Sequence, residues 1–246
     1  MFQYRYFVYI SVVLLFLLLA AKSHGEVRHV DPAEAIVASM LKSYGGAESI
    51  RKIASVTAKG RIDESLNGKS GSYARYFERP GKLRIEVMPE LGGEIRILNG
   101  DRGWLGGSEG FMPVSPMELQ SMFYQYSYLD LPMGLAKGDY PLKYGGKENH
   151  NGHEAYLLLV ELKNAPQLRV LVDAKTGLII RVAAQFAIGM MGANELATEY
   201  GDFHSVEGVL FPFKLTNYAG DVKLSEIILG DITINREIPP KLFSPR

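Results

Sequence analysis

The chain has 246 residues, with 27 basic and 27 acidic side chains, 47% hydrophobic content and no cysteine. The absence of cysteine excludes disulfides, thiolate chemistry, cysteine-based zinc sites and lipid attachment at a cysteine. The balanced charge, with no basic patch or arginine-rich run, excludes a nucleic-acid footprint.

Residues 1–25 read as an export signal. Arg5 is the only charge before an apolar run from Phe7 to Ala21, and the segment closes on Ala20-Ala21-Lys22-Ser23-His24-Gly25. This is the three-part pattern of a secretory signal peptide, with small residues where a peptidase reads and cleavage expected before Glu26. The competing reading is an uncleaved anchor, but the run is short of the roughly 20 apolar residues a bilayer core needs. No linker or repeat divides the rest of the chain, so 26–246 is expected to be one domain with a core of its own.

The first helix is announced by Asp31 as N-cap, Pro32 at the first helical position and Glu34. Val37, Met40, Leu41 and Tyr44 make one apolar face, and Gly45-Gly46 ends it. A short turn over Ala47 to Ile53 comes next. The period then changes to two, in Lys82 to Val87 and again in Glu94 to Ile97, which predicts strands with one apolar face. Ser55 to Ile62 and Tyr73 to Phe77 read as the strands before them. Asn99 to Gly103 is a turn signal ahead of Trp104.

A second helix starts at Ser115-Pro116, with Glu118 as capping-box partner and Leu119, Met122, Phe123 and Tyr126 on one face. Leu129, Leu131, Met133 and Leu135 extend this apolar insertion. Strands resume at Tyr156 to Leu162, Gln167 to Val172, Leu178 to Phe186, Asn194 to Tyr200, Val209 to Tyr218 and Lys223 to Ile232. Asp202 to Gly208 reads as a loop, and the glycine clusters at Gly92-Gly93, Gly106 to Gly110 and Gly145-Gly146 read as turns. The class is α+β, dominated by an antiparallel sheet of about ten or eleven strands with two or three helices.

Few residues suggest catalysis. His150, His153 and Glu154 lie in a Gly/Asn turn and could ligate a transition metal in a hydrolase, but their spacing lacks the geometry of a helical zinc motif. Solvent-exposed turn histidines are the plainer reading. No Gly-x-Ser-x-Gly elbow, P-loop or dinucleotide fingerprint occurs. Apolar material stands out instead. Six methionines fall between Met112 and Met191, and methionine suits surfaces that accept varied apolar partners. Phe186 to Gly192, apolar with two glycines, reads as a loop at a mouth. Either all this is ordinary core, or sheet and insertion enclose a cavity for an acyl chain or similar ligand.

The residues resemble a known family. Gly45-Gly46 followed by Ile50, Ile53, Val56 and Gly60, and Gly100-Asp101-Arg102-Gly103-Trp104 after a strand, are similar to stretches of the LolA-like superfamily of periplasmic lipoprotein carriers. So are Tyr200 to Phe203, Gly208 to Phe213, and the ending Ile238-Pro239-Pro240-Lys241-Leu242-Phe243. The resemblance implies a large curved antiparallel sheet, an incomplete barrel wrapped around helices that act as a lid. It also implies a periplasmic location, a concave face that binds lipid or acylated protein, and partners in the inner or outer membrane.

The first expectation is therefore a non-catalytic binding protein without metal or cofactor. Its cavity would be lined by Leu83, Ile85, Val87, Ile95, Ile97 and Trp104 from the sheet and by Leu119, Met122, Phe123 and Tyr126 from the lid, with Gly110 and Gly134 as hinges. The alternatives are a sensor or assembly partner that holds a peptide or protein tail, and the metal-dependent hydrolase of His150, His153 and Glu154.

Overall fold

The sheet is built from two meanders joined along their first and last strands. The computed structural model describes residues 31–89, 93–107, 109–187 and 193–245. The expected signal peptide, and the part of the expected mouth loop beyond Ala187, lie outside the described residues. Helices α1 (Pro32–Ser43) and α2 (Ala47–Arg51) precede strands β1 (Ser55–Glu64), β2 (Ser70–Glu78), β3 (Lys82–Pro89), β4 (Glu94–Asn99), β5 (Arg102–Gly107) and β6 (Gly110–Pro113). Helix α3 (Pro116–Lys137) leads to β7 (Leu142–His150), β8 (His153–Val160), β9 (Leu168–Asp173), β10 (Ile179–Ala187), β11 (Ala193–Val206), β12 (Val209–Ala219) and β13 (Val222–Ile234). A 3-10 turn at Pro240–Phe243 closes the described chain. No helix among the described residues is long and apolar enough to cross a membrane.

All thirteen strands form one antiparallel sheet in the order β6-β5-β4-β3-β2-β1-β13-β12-β11-β10-β9-β8-β7. This corrects the expectation of a curved, incomplete barrel of about ten or eleven strands. The order is linear, and among the described residues the edge strands β6 and β7 hydrogen-bond to no further strand, so the sheet is open. Three strands exceed what their sequence signals indicated. Glycines at Gly106, Gly107 and Gly145 sit within β5 and β7 instead of turns, with a register shift between Tyr144 and Gly146. Asp202 to Val206 continues β11 through Asp202, whose φ of 52° marks an irregularity and not a loop.

The two edges are linked in sequence by α3, which therefore has to cross one face of the sheet. Ser115 caps it: its Oγ accepts from the Glu118 N–H at 3.4 Å, and Glu118 Oε2 accepts from the Ser115 N–H at 2.7 Å. The helix runs from Pro116 to Lys137, through Pro132. Proline has no N–H, so the carbonyl of Tyr128, four residues back, loses its helical partner. The Tyr200 hydroxyl on β11 donates to that carbonyl at 3.3 Å, which removes the cost of the orphan. Gly138, left-handed at φ 74°, ends the helix, with Asp139 N–H donating to the Gly134 carbonyl at 2.9 Å.

The main core lies between α1, α2, α3 and one sheet face, with Met40, Ile50, Leu131, Leu158, Leu168 and Leu215 essentially without solvent exposure. Gly45 (φ 113°) brings the α1–α2 turn against the β11–β12 turn so closely that a Cβ there would lie 2.2 Å from the Gly208 oxygen. The C-terminal half of α3 is fixed by a polar cluster. Arg79 Nε meets Asp130 Oδ1 at 2.7 Å, Arg79 Nη2 pairs with Asp139, and the Tyr140 hydroxyl donates to Asp130 Oδ2 at 2.6 Å. Arg51 Nε donates to the Ala136 carbonyl at 2.6 Å.

Candidate ligand-binding cavity

Strand register decides which of the expected cavity residues meet. Leu83 pairs with Leu98 and Arg84 with Ile97, so the odd-numbered residues of β3 share a face with the even-numbered residues of β4. Leu83, Ile85 and Val87 consequently face α3, whereas Ile95, Ile97 and Trp104 lie on the opposite face. Ile97 pairs with Trp104 there, beneath the C-terminal turn. Arg84 Nη1 donates to the Leu242 carbonyl and Asn99 Nδ2 to the Phe243 carbonyl, each at 3.1 Å, and Ile97 and Phe243 are fully buried.

The four helix residues pack into the core instead of facing open space. Leu119 and Met122 lie over Gly103, where an added Cβ would be 3.1 Å from Leu119 and 2.8 Å from Met122. Phe123 is partly buried against the same core. Tyr126 stacks on Phe77 at 5.0 Å and its hydroxyl accepts from the Gly81 N–H at 2.9 Å. Gly134 is buried inside the helix against the Tyr140 ring, with no room for a Cβ. Gly110 begins β6 at φ 114° with open space around it.

A cavity of about 560 Å³ does lie between the sheet and the N-terminal half of α3. Ile85 and Val87 line it, together with Tyr73, Leu196 and Ile227 from the sheet and Tyr124, Gln125 and Tyr128 from the helix. The last three were hidden in the sequence because α3 is apolar on nearly every side, so spacing named one face where several are buried. The lining is mixed, but most of its polar groups satisfy one another. Thr198 donates to Asn217 at 2.9 Å, Asn217 to Ser225 at 3.0 Å, and Arg96 pairs with Glu94 at 2.5 Å. The Tyr124 hydroxyl is within 3.2 Å of the Val182 carbonyl and 3.3 Å of the Leu196 carbonyl. Burial pushes the phenols of Tyr124, Tyr128 and Tyr200 well above the ordinary tyrosine range, so all three are neutral.

A smaller space of about 50 Å³ adjoins it, bounded by Phe77, Tyr128, Met133, Tyr200, Leu215 and Arg75. Tyr128 borders both spaces.

The histidine alternative has a different geometry. His150 Nε2 meets Glu199 at 2.8 Å, His153 Nδ1 meets Asp173 at 2.9 Å, and Lys147 pairs with Glu154 at 2.9 Å. Each is engaged separately, and Glu154, next to His153 in β8, points to the other face of the sheet. Among the described residues no group of three or more His, Asp or Glu could hold a metal ion.

Solved structures share this fold at low sequence identity. A DUF1329 family protein from Desulfovibrio piger matches with a TM-score of 0.58 at 12% identity, over 87% of this chain and 98% of that one. A domain named for outer membrane lipoprotein sorting, from Vibrio parahaemolyticus, gives 0.56 at 11%, over 86% and 95%. A LolA superfamily protein from Nitrosomonas europaea gives 0.51 at 14%, over 84% and 96%. The fold is thus shared with these structures, a LolA superfamily protein among them. No family model and no curated protein matches the sequence.

Proposed function

We propose that this protein is a non-catalytic periplasmic binding or carrier protein that holds an apolar chain, lipid or lipoprotein acyl, between α3 and the sheet. The observation that carries this reading is the cavity of about 560 Å³. It is within the size of ordinary ligand sites, roughly 300–1,000 Å³. Each methylene buried there contributes roughly 0.8 kcal/mol, so a long acyl chain gains on the order of 10 kcal/mol before ordering costs. That suffices for uptake without any reactive group. Several polar residues of the lining, Thr198, Asn217, Ser225, Arg96 and Glu94, are paired with each other.

The likeness to a lipoprotein-sorting domain and a LolA superfamily protein supports this reading, as does the apolar segment at residues 7–21 for export. The ligand would lie against Ile85 and Val87. The anchored C-terminal half of α3 would stay in place while the N-terminal half gives way. The test is native mass spectrometry and organic extraction of the protein purified from the periplasm. An acyl species should accompany the wild type, and Val87→Trp, which narrows the cavity, should carry at least ten-fold less while its cooperative unfolding is unchanged. Equal loading of both would refute the assignment of the cavity.

A further inference from the structure

Arg75 is buried on the inner face of β2, only 4% exposed, between Ala58 of β1 and Ile85 of β3. A guanidinium keeps its charge in proteins and presents its donors as a rigid fork. Among the described residues the Nε and Nη1 atoms have no hydrogen-bond partner, and no carboxylate forms an ion pair with Arg75. Its polar neighbours are the phenols of Tyr73, which is hydrogen-bonded to the guanidinium, Tyr128 and Tyr200. Those are neutral and cannot balance the charge. An isolated buried charge costs several kcal/mol unless something pairs with it. Arg75 borders the space of about 50 Å³, room for a carboxylate or about two waters.

We infer that Arg75 is the recognition point for an anionic head group, so that the ligand is an amphiphile with a carboxylate or phosphate at one end. This rests on the reading of the larger cavity as an apolar-chain site. The head would take the Arg75 fork in a bidentate contact, the geometry at which arginine matches oxyacids. Because Tyr128 walls both spaces, the chain would run past its ring into the larger cavity. The ligand then supplies the counter-charge that the fold withholds.

The experiment compares three probes with one tail on the full chain, by titration calorimetry and thermal unfolding: dodecanoate, dodecyl phosphate and 1-dodecanol. At least one of the two anions should bind ten-fold or more tighter than the alcohol, and which one does so separates a fatty-acid source from a phospholipid-like one. Arg75→Met should bring all three to the affinity of the alcohol. It should also unfold at a temperature no lower than the wild type without ligand, because it deletes an unpaired buried charge. Arg75→Lys, which keeps the charge without the fork, should retain part of the preference. If the alcohol binds as well as both anions, the head-group assignment is overturned and the apolar cavity stands. If none of the three binds, both readings fail. The wild-type comparison decides the matter even where a variant does not fold.

Discussion

The hydroxyl of Tyr200 should matter only because of Pro132. Tyr200→Phe removes the donor at 3.3 Å from the Tyr128 carbonyl and leaves the ring in place. The carbonyl then lies in the helix without a partner, since Pro132 has no N–H to give it. A buried unsatisfied acceptor costs about 1–3 kcal/mol, and the length of this bond puts the effect near the lower end, about 1 kcal/mol. Pro132→Ala restores the helical N–H, so in that background Tyr200→Phe should cost a few tenths of a kcal/mol at most. The assay is a double-mutant cycle from urea denaturation of the four proteins, read as changes in midpoint at constant m-value. A coupling of about 1 kcal/mol is expected from the orphaned carbonyl. If Tyr200→Phe costs the same in the wild-type and Pro132→Ala backgrounds, the carbonyl does not depend on that hydroxyl and the account of the continuous helix is wrong.

Two more outcomes are set by the same geometry. Burial pushes the Asp130 carboxyl up to about 6, with the Tyr140 hydrogen bond and the Arg79 charge offsetting only part of that rise. A folded-state value above the ordinary 3.8 means that the folded protein holds a proton the unfolded chain releases. This contribution is full below pH 4 and lost as pH rises through 6, up to about 3 kcal/mol. The stability of wild type relative to Asp130→Asn should therefore fall between pH 4 and pH 7 in denaturation curves; a constant difference would refute it. Gly45→Ala places a Cβ against the Gly208 oxygen at a φ of 113°, and should cost about 2 kcal/mol or more, on the order expected for a strained backbone combined with a clash. A loss under about 0.5 kcal/mol, within the usual range for a neutral surface change, would show that the two turns separate freely.

Local signals were legible because the interactions that make them are local. Ser115, Pro116 and Glu118 specify the start of α3 within four residues, and the alternation from Lys82 to Val87 specifies a half-buried strand without reference to its neighbours. The likeness in fold to a LolA superfamily structure was expected as well, from turn glycines and apolar strands spread over the chain. Relations between distant segments were not. The expected partial barrel became an open sheet because closure depends on whether β6 and β7 pair, and neither strand's residues state a partner. Ile95 and Ile97 alternate as cleanly as Leu83 and Ile85, but a hairpin register pairing odd with even sends them to the other face. The hydrogen bond that compensates for Pro132 comes from Tyr200, far along the chain. In the sequence Arg75 is one charge in an alternating strand. Only the tertiary packing makes it a buried cation with two unused donors, because desolvation is a property of everything that surrounds a group and not of the residue itself.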